Sequence, residues 1–184
     1  MSETRSPSRY SQAQKWLHWS MALLILAMLV IGLTMTNLDD GALKNWLYEF
    51  HKSIGLTVLT LALVRVAVRW RRGAPPLEPG VPAWQRVAAR ASHYALYALI
   101  ILVPLAGWTA TSSCCAPVNL FWTAPLTLPA PSDEAFSNAV FRIHFTLAFA
   151  LAAVIALHVA GALQHHFIRK DRTLLRMLPG DPGP

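Results

Sequence analysis

Four long apolar runs restrict the fold of this 184-residue chain more than any other feature. They cover roughly residues 14–36, 45–70, 83–111 and 137–168. Each is long enough to cross a hydrocarbon core of about 30 Å as an α-helix. A backbone inside lipid must satisfy its own hydrogen bonds, and helices do this for continuous apolar runs. The chain therefore reads as all-α, an up-down transmembrane four-helix bundle forming a single integral membrane domain over residues 1–184. Pro104 is expected to kink the third helix, which neighbouring helices can tolerate. The connections "NLDDGAL", "RRGAPPLEPGVP" and "SSCCAPVNLFWTAPLTLPAPSDEA" are rich in turn formers and read as loops.

Composition excludes other classes. Hydrophobic residues make up 54 % of the chain and charged residues only 14 %, which argues against a soluble domain. The pI near 10.0 raises the question of nucleic acid. However, the basic residues are confined to short segments between the apolar runs, with no basic face interleaved with aromatics, so no nucleic-acid partner is expected. The N-terminal arm is polar, and the apolar stretch after it is too long for a signal h-region, so no cleavable signal peptide is expected. Cys114 and Cys115 are adjacent, which provides no disulfide framework and no CxxC motif, and they read as small half-buried thiols.

Lysine and arginine set the expected orientation. Arg5, Arg9, Lys15, Arg65, Arg69, Arg71, Arg72, Arg86, Arg90, Arg169, Lys170, Arg172 and Arg176 fall on one side. The other side keeps Lys44, Lys52 and Arg142 beside Asp39, Asp40, Glu49, Asp133 and Glu134. Both termini are therefore expected in the cytoplasm, with the bilayer as the first partner.

Intramembrane histidines are functional candidates by default. His144 and His158 bracket "FTLAFALAAVIAL", so on a helix they lie about 21 Å apart along the axis and about 40° apart around it. Their depths match other histidines. His51 and His144 start the second and fourth helices near the outer face, whereas His18, His93 and His158 lie in the inner half. Two layers of imidazoles in a four-helix bundle suit bis-histidine haem. Gly32 follows His18 by 14 and Gly107 follows His93 by 14, so each helix offers a histidine at one layer and a bare backbone at the other. Gly55 and Gly161, one turn from His51 and His158, offer similar clearance. Zinc needs four ligands at one point, which histidines so far apart cannot supply, and a proton relay leaves the matched glycines unexplained. His144 is expected to face His51. His158 can pair with His18 or His93; depth slightly favours His93, and spacing leaves the choice open. His165 follows His158 by seven and is expected on the same stripe at the inner interface, while Arg65 follows His51 by 14 and faces inward one layer below.

The stretches "WLHW" (16–19), "FHKSIG" (50–55), "SHYALY" (92–97) and "LHVAGALQHHFIRKDRTLLRMLPG" (157–180) resemble the bacterial cytochrome b561 family over nearly all of Tyr10 to Gly180. The resemblance implies an inner-membrane electron carrier binding two b-type haems, with His18 and His158 on the inner haem iron and His51 and His144 on the outer one. His93 and Arg65 then become candidates for a haem propionate, and His165 for a quinone site. Within the family the resemblance is to its superoxide-oxidising type, which implies electrons passing from superoxide, or another periplasmic donor, through the haems to ubiquinone. Lys52 and Arg142 flank the outer ligands and are the candidate charges for attracting superoxide, although the outer face is otherwise acidic. The alternative reading is a cytochrome b anchor subunit of a larger dehydrogenase or hydrogenase.

Overall fold

The computed structural model describes residues 9–114 and 117–179. Four helices make up most of it: α1 (Gln12–Thr36), α2 (Ala42–Arg72), α3 (Ala83–Cys114) and α4 (Glu134–Leu163). All four are long and apolar enough to span a membrane. They exceed the apolar runs by a few residues at most ends, because polar caps extend a helix past its apolar stretch. Ser11 and Gln14 form a reciprocal capping box at the start of α1, and the Asp133 carboxylate accepts the Phe136 N–H at the start of α4. Gly73 ends α2 at a φ of 67°, a left-handed conformation that glycine adopts without a Cβ clash. α3 runs unbroken through Pro104.

α1 packs on α2, α2 on α3, and α3 most extensively on α4. Each helix carries one inward stripe with a seven-residue repeat, which drifts only about 20° per repeat. The stripes read His18–Ile25–Gly32, His51–Val58–Arg65, His93–Ile100–Gly107 and His144–Leu151–His158. Their middle members belong to the apolar centre: Val58, Ile100 and Leu151 are buried, and Met21, Ala62, Ile100 and Leu151, one from each helix, form the core cluster. Ile25 packs against that cluster. The outward faces remain apolar, with Leu23, Val30, Leu63, Leu102, Phe149 and Leu157 exposed, as a surface in contact with lipid requires.

The α3–α4 connection is more ordered than its turn-rich sequence suggests. It forms an antiparallel hairpin, β1 (Val118–Leu120) with β2 (Ala124–Leu126), in which Leu120 faces Ala124. Its tip places Phe121 and Trp122 at φ values of 46° and 60°, conformations that cost a bulky residue about 1–2 kcal/mol each. Ser53 offsets that strain. Its buried hydroxyl accepts the Phe121 N–H at 2.9 Å and donates to the Asn119 carbonyl at 3.2 Å. Trp122 also stacks on Trp46, with centroids 6.0 Å apart. We call this end of the bundle the hairpin face, and the end carrying both described chain termini the terminal face.

At the terminal face α4 widens into a π-helical turn, Gln164–Arg169, and the tail returns across the bundle. Lys15 and the Trp19 indole donate to the carbonyls of Leu178 and Met177, both at 2.9 Å. Arg176 pairs with Glu78 and donates to the Pro76 carbonyl. Cys114 is half-buried at the end of α3. Cys115, Arg5 and Gly180, which entered the sequence reading, lie outside the described residues.

Candidate haem site

At the hairpin level, His51 of α2 faces His144 of α4 with ring centroids 6.3 Å apart and planes at 78°. At the terminal level, His18 of α1 faces His158 of α4 at the same 6.3 Å, with planes at 69°. The distance has chemical content. Two metal–imidazole bonds of about 2 Å, with about 1.1 Å from each nitrogen to its ring centroid, put two axial rings about 6.2 Å apart. His93 lies nearer to His158, at 5.3 Å, which is about 1 Å too short for a metal between them on the same arithmetic. Distance therefore favours His18, against the slight preference that depth gave to His93.

The surroundings at the hairpin level suit a flat macrocycle. A largely apolar cavity of about 800 Å³ opens between all four helices and is lined by His51, His144, Gly32, Gly107, Val103 and Met28 among others. Buried His51 Nδ1 has no hydrogen-bond partner among the described residues. His144 Nδ1 lies 2.9 Å from the Val103 carbonyl; a carbonyl only accepts, so this nitrogen carries the proton and leaves Nε2 as a metal-binding lone pair. The glycines serve the rings more directly than spacing suggested. A Cβ on Gly32 would lie 3.3 Å from His51 Cε1, and one on Gly107 would lie 3.0 Å from His144 Nδ1. Gly55 and Gly161 give no such clearance: a Cβ on the first would make an ordinary 3.8 Å contact with Met28, and one on the second would meet nothing.

At the terminal level, Arg65 enters from α2. Its guanidinium lies 3.1 Å from His18 Nδ1 and 3.5 Å from the Gln14 carbonyl, and its Cζ sits 5.9 Å from the centre of the Tyr97 ring. Arginine only donates, so His18 Nδ1 is an acceptor here. Among the described residues, no three His, Cys, Asp or Glu side chains converge to hold a metal unaided. An iron at either level must draw its remaining ligands from a macrocycle.

The other candidates are placed as follows. Lys52 lines the hairpin-level cavity, but its amine is paired with Glu49 and donates to the Pro117 carbonyl at 3.0 Å, so its charge is largely neutralised. Arg142 is exposed, with no ion pair among the described residues. His165 lies on the π-helical turn instead of continuing the α-helical stripe, and its Nδ1 is 2.6 Å from Asp171 Oδ2. Sequence reasoning missed Asp171; its one signal was an acid standing alone in the basic segment "IRKDR".

Four membrane-length helices that bring imidazoles together in pairs at two depths define the class: a membrane-embedded b-type cytochrome. Comparison with known proteins agrees. The family model described as prokaryotic cytochrome b561 matches residues 9–180. The chain is 36 % identical over 189 residues to cytochrome b561 homolog 2 of Escherichia coli strain K12, covering 97 % of this chain and 95 % of the relative. It is 33 % identical to cytochrome b562 of Cereibacter sphaeroides, covering 95 % and 98 %. It is 29 % identical to the probable superoxide oxidase CybB of Yersinia pestis, again covering 95 % and 98 %. The chain belongs to the prokaryotic cytochrome b561 family, and is thus a multi-pass bacterial membrane protein of electron transfer whose family implies b-type haem.

Proposed function

We propose that the chain binds two b-type haems, one at each level, and passes electrons from a donor at the hairpin face to ubiquinone at the terminal face. In this reading it sits in the inner membrane, with the hairpin in the periplasm and both termini in the cytoplasm. His51 and His144 hold one iron, and His18 and His158 the other. The observation that carries the proposal is the equal 6.3 Å spacing of the two pairs. When bound, each haem would supply a one-electron carrier.

The remaining work falls to side chains. At the hairpin level, the Val103 carbonyl fixes the tautomer of His144. At the terminal level, His18 would hold an iron through Nε2 with its proton on Nδ1, and Arg65 would then leave that nitrogen. Arg65 then serves a haem propionate, the anion a half-buried guanidinium requires. His93, beside His158, stands as a second propionate partner. His165 meets the quinone where protons are available from water.

Superoxide is the donor proposed, supported by the name of the Yersinia pestis relative. Two superoxide anions each give up one electron, and ubiquinone takes both with two protons to become the quinol. With Lys52 held by Glu49, Arg142 is the freer of the two attracting charges. Haem quantitation with a reduced-minus-oxidised spectrum tests the framework. Two haem equivalents per chain are expected, with His51→Ala or His144→Ala losing one and His18→Ala or His158→Ala the other; a single equivalent at full loading rules the framework out. Superoxide generated enzymatically should reduce the haems and yield quinol, and the absence of both retires superoxide as donor.

A further inference from the structure

The end of α4 is built around one carboxylate. Lys170 adopts a left-handed conformation, at a φ of 55°, and reverses the chain. The His165 carbonyl then accepts two backbone N–H groups, from Lys170 and, at 3.2 Å, from Asp171. This fold-back lays Asp171 on the ring of His165, with Oδ2 2.6 Å from Nδ1 and both side chains mostly shielded from solvent, at 16 % and 14 % exposure. The carboxylate is itself held. Its Oδ1 accepts the Thr173 N–H at 2.9 Å, and Arg169 Nε lies 3.3 Å from Oδ2. The Thr173 hydroxyl is 3.3 Å from His165 Nδ1. A π-helical turn at the end of a span departs from regular helix, and such departures recur at functional sites.

We propose that Asp171 is the positioning residue for His165 in quinone reduction: it holds the Nδ1 proton, so that Nε2 is the nitrogen offered to a quinone oxygen. The inference rests on the assignment of His165 to the quinone. A carboxylate only accepts, so the proton between the two belongs to Nδ1, and Nε2 has no hydrogen-bond partner among the described residues. Burial alone would raise the Asp171 carboxyl, but hydrogen bonds from His165 and Thr173 override it and hold Asp171 down at about 2. It therefore remains an anion at neutral pH, facing the Nδ1 proton of His165.

Reduction of the quinone takes two electrons and two protons. One proton passes from His165 Nε2 to the facing oxygen, leaving a neutral ring that keeps its Nδ1 proton and is recharged by water at the terminal face. The second proton reaches the other oxygen from the same water. Arg169, on the same turn, is a charged group against the pair and also donates to the Gly80 carbonyl, while Arg176 is paired with Glu78 where the tail meets the α2–α3 connection.

The test uses haem-loaded protein in nanodiscs, with quinone reduction followed against pH. Asp171→Asn should keep both haem spectra and lower kcat about tenfold. The alkaline limb of its profile, where the donated proton is no longer held, should move to lower pH once the neighbouring anion is gone. Asp171→Glu should recover most of the rate and restore the limb. Nitrogen-15 spectra of histidine-labelled protein should show His165 protonated at Nδ1 in the parent chain and lose that signature in Asp171→Asn, which reads the pair without turnover. Slowing by His165→Ala with an unchanged Asp171→Asn profile overturns the positioning role alone. An unchanged rate in His165→Ala overturns the quinone assignment and this inference together. Should Asp171→Asn fail to fold, an Asp171→Glu chain lacking the Nδ1 signature and retaining the parent's rate and profile counts equally against it.

Discussion

His144 donates its Nδ1 proton to the carbonyl of Val103 across the α3–α4 contact at 2.9 Å, and Gly107, one turn beyond Val103, makes room for the ring. The bond and the clearance act together. Without a side chain at 107 the imidazole lies close against the α3 backbone, where the carbonyl can reach it.

Gly107→Ala should therefore displace the His144 ring, since its Cβ would lie 3.0 Å from Nδ1 and 3.1 Å from Cε1, tighter than nine in ten real Cβ contacts, so the ring must give by a few tenths of an ångström. The expected result is loss of the hairpin-level haem with the terminal-level spectrum intact, read as a fall in the haem-to-protein ratio from two towards one. Gly161→Ala, where a Cβ meets nothing, should bind haem normally. Equal behaviour of the two variants would remove the steric argument.

His93→Ala should leave both haems bound, because 5.3 Å is too short a separation from His158 for a shared metal, whereas His18→Ala should lose the terminal-level haem. Pyridine haemochrome quantitation of the two variants decides between them. The reverse pattern would reassign the ligand.

Ser53→Ala should free the hairpin. The serine is fully buried and its hydroxyl serves both Phe121 N–H and Asn119 C=O, so removal leaves two backbone groups short of a partner, at about 1–3 kcal/mol for each left unsatisfied. Faster amide exchange across residues 118–126, with exchange in α2 unchanged, is the expected reading. Exchange rates equal to the parent's would show that Trp122 stacking on Trp46 alone holds the tip.

Acid should release the tail. Asp171 is held at about 2, below the ordinary 3.8 of an aspartate, so its contribution is complete above about pH 4 and fades as pH falls through 2. Pepsin cleavage between residues 170 and 179 should be slow at pH 4 and rise steeply towards pH 2, and Asp171→Asn should be cut readily at both. A parent tail already open at pH 4 would contradict this.

The four spans, their inward stripes and the two imidazole layers could all be read from the chain, because helix rise and repeat are local properties and a membrane leaves few other ways to satisfy an apolar backbone. The same local reasoning extended the α-helical stripe to His165, which instead lies on a π-helical turn created by the tail folding back. It also saw the glycines as general clearance, whereas only the facing helix shows that Gly32 and Gly107 each accommodate one histidine ring.

The sequence by itself determined the depth of each histidine, since residue number along a helix is distance across the bilayer. Helix spacing left His18 and His93 open as partners of His158, and only tertiary structure sets their distances from it, 6.3 Å and 5.3 Å, because they belong to different helices at similar depth and only the packing of those helices separates them. The fold-back of Asp171 onto His165, the Glu49 partner of Lys52 and the hairpin held by Ser53 were decided in the same way. Hydrophobic periodicity says which way a side chain points, and carries no information about which polar group on another segment meets it there.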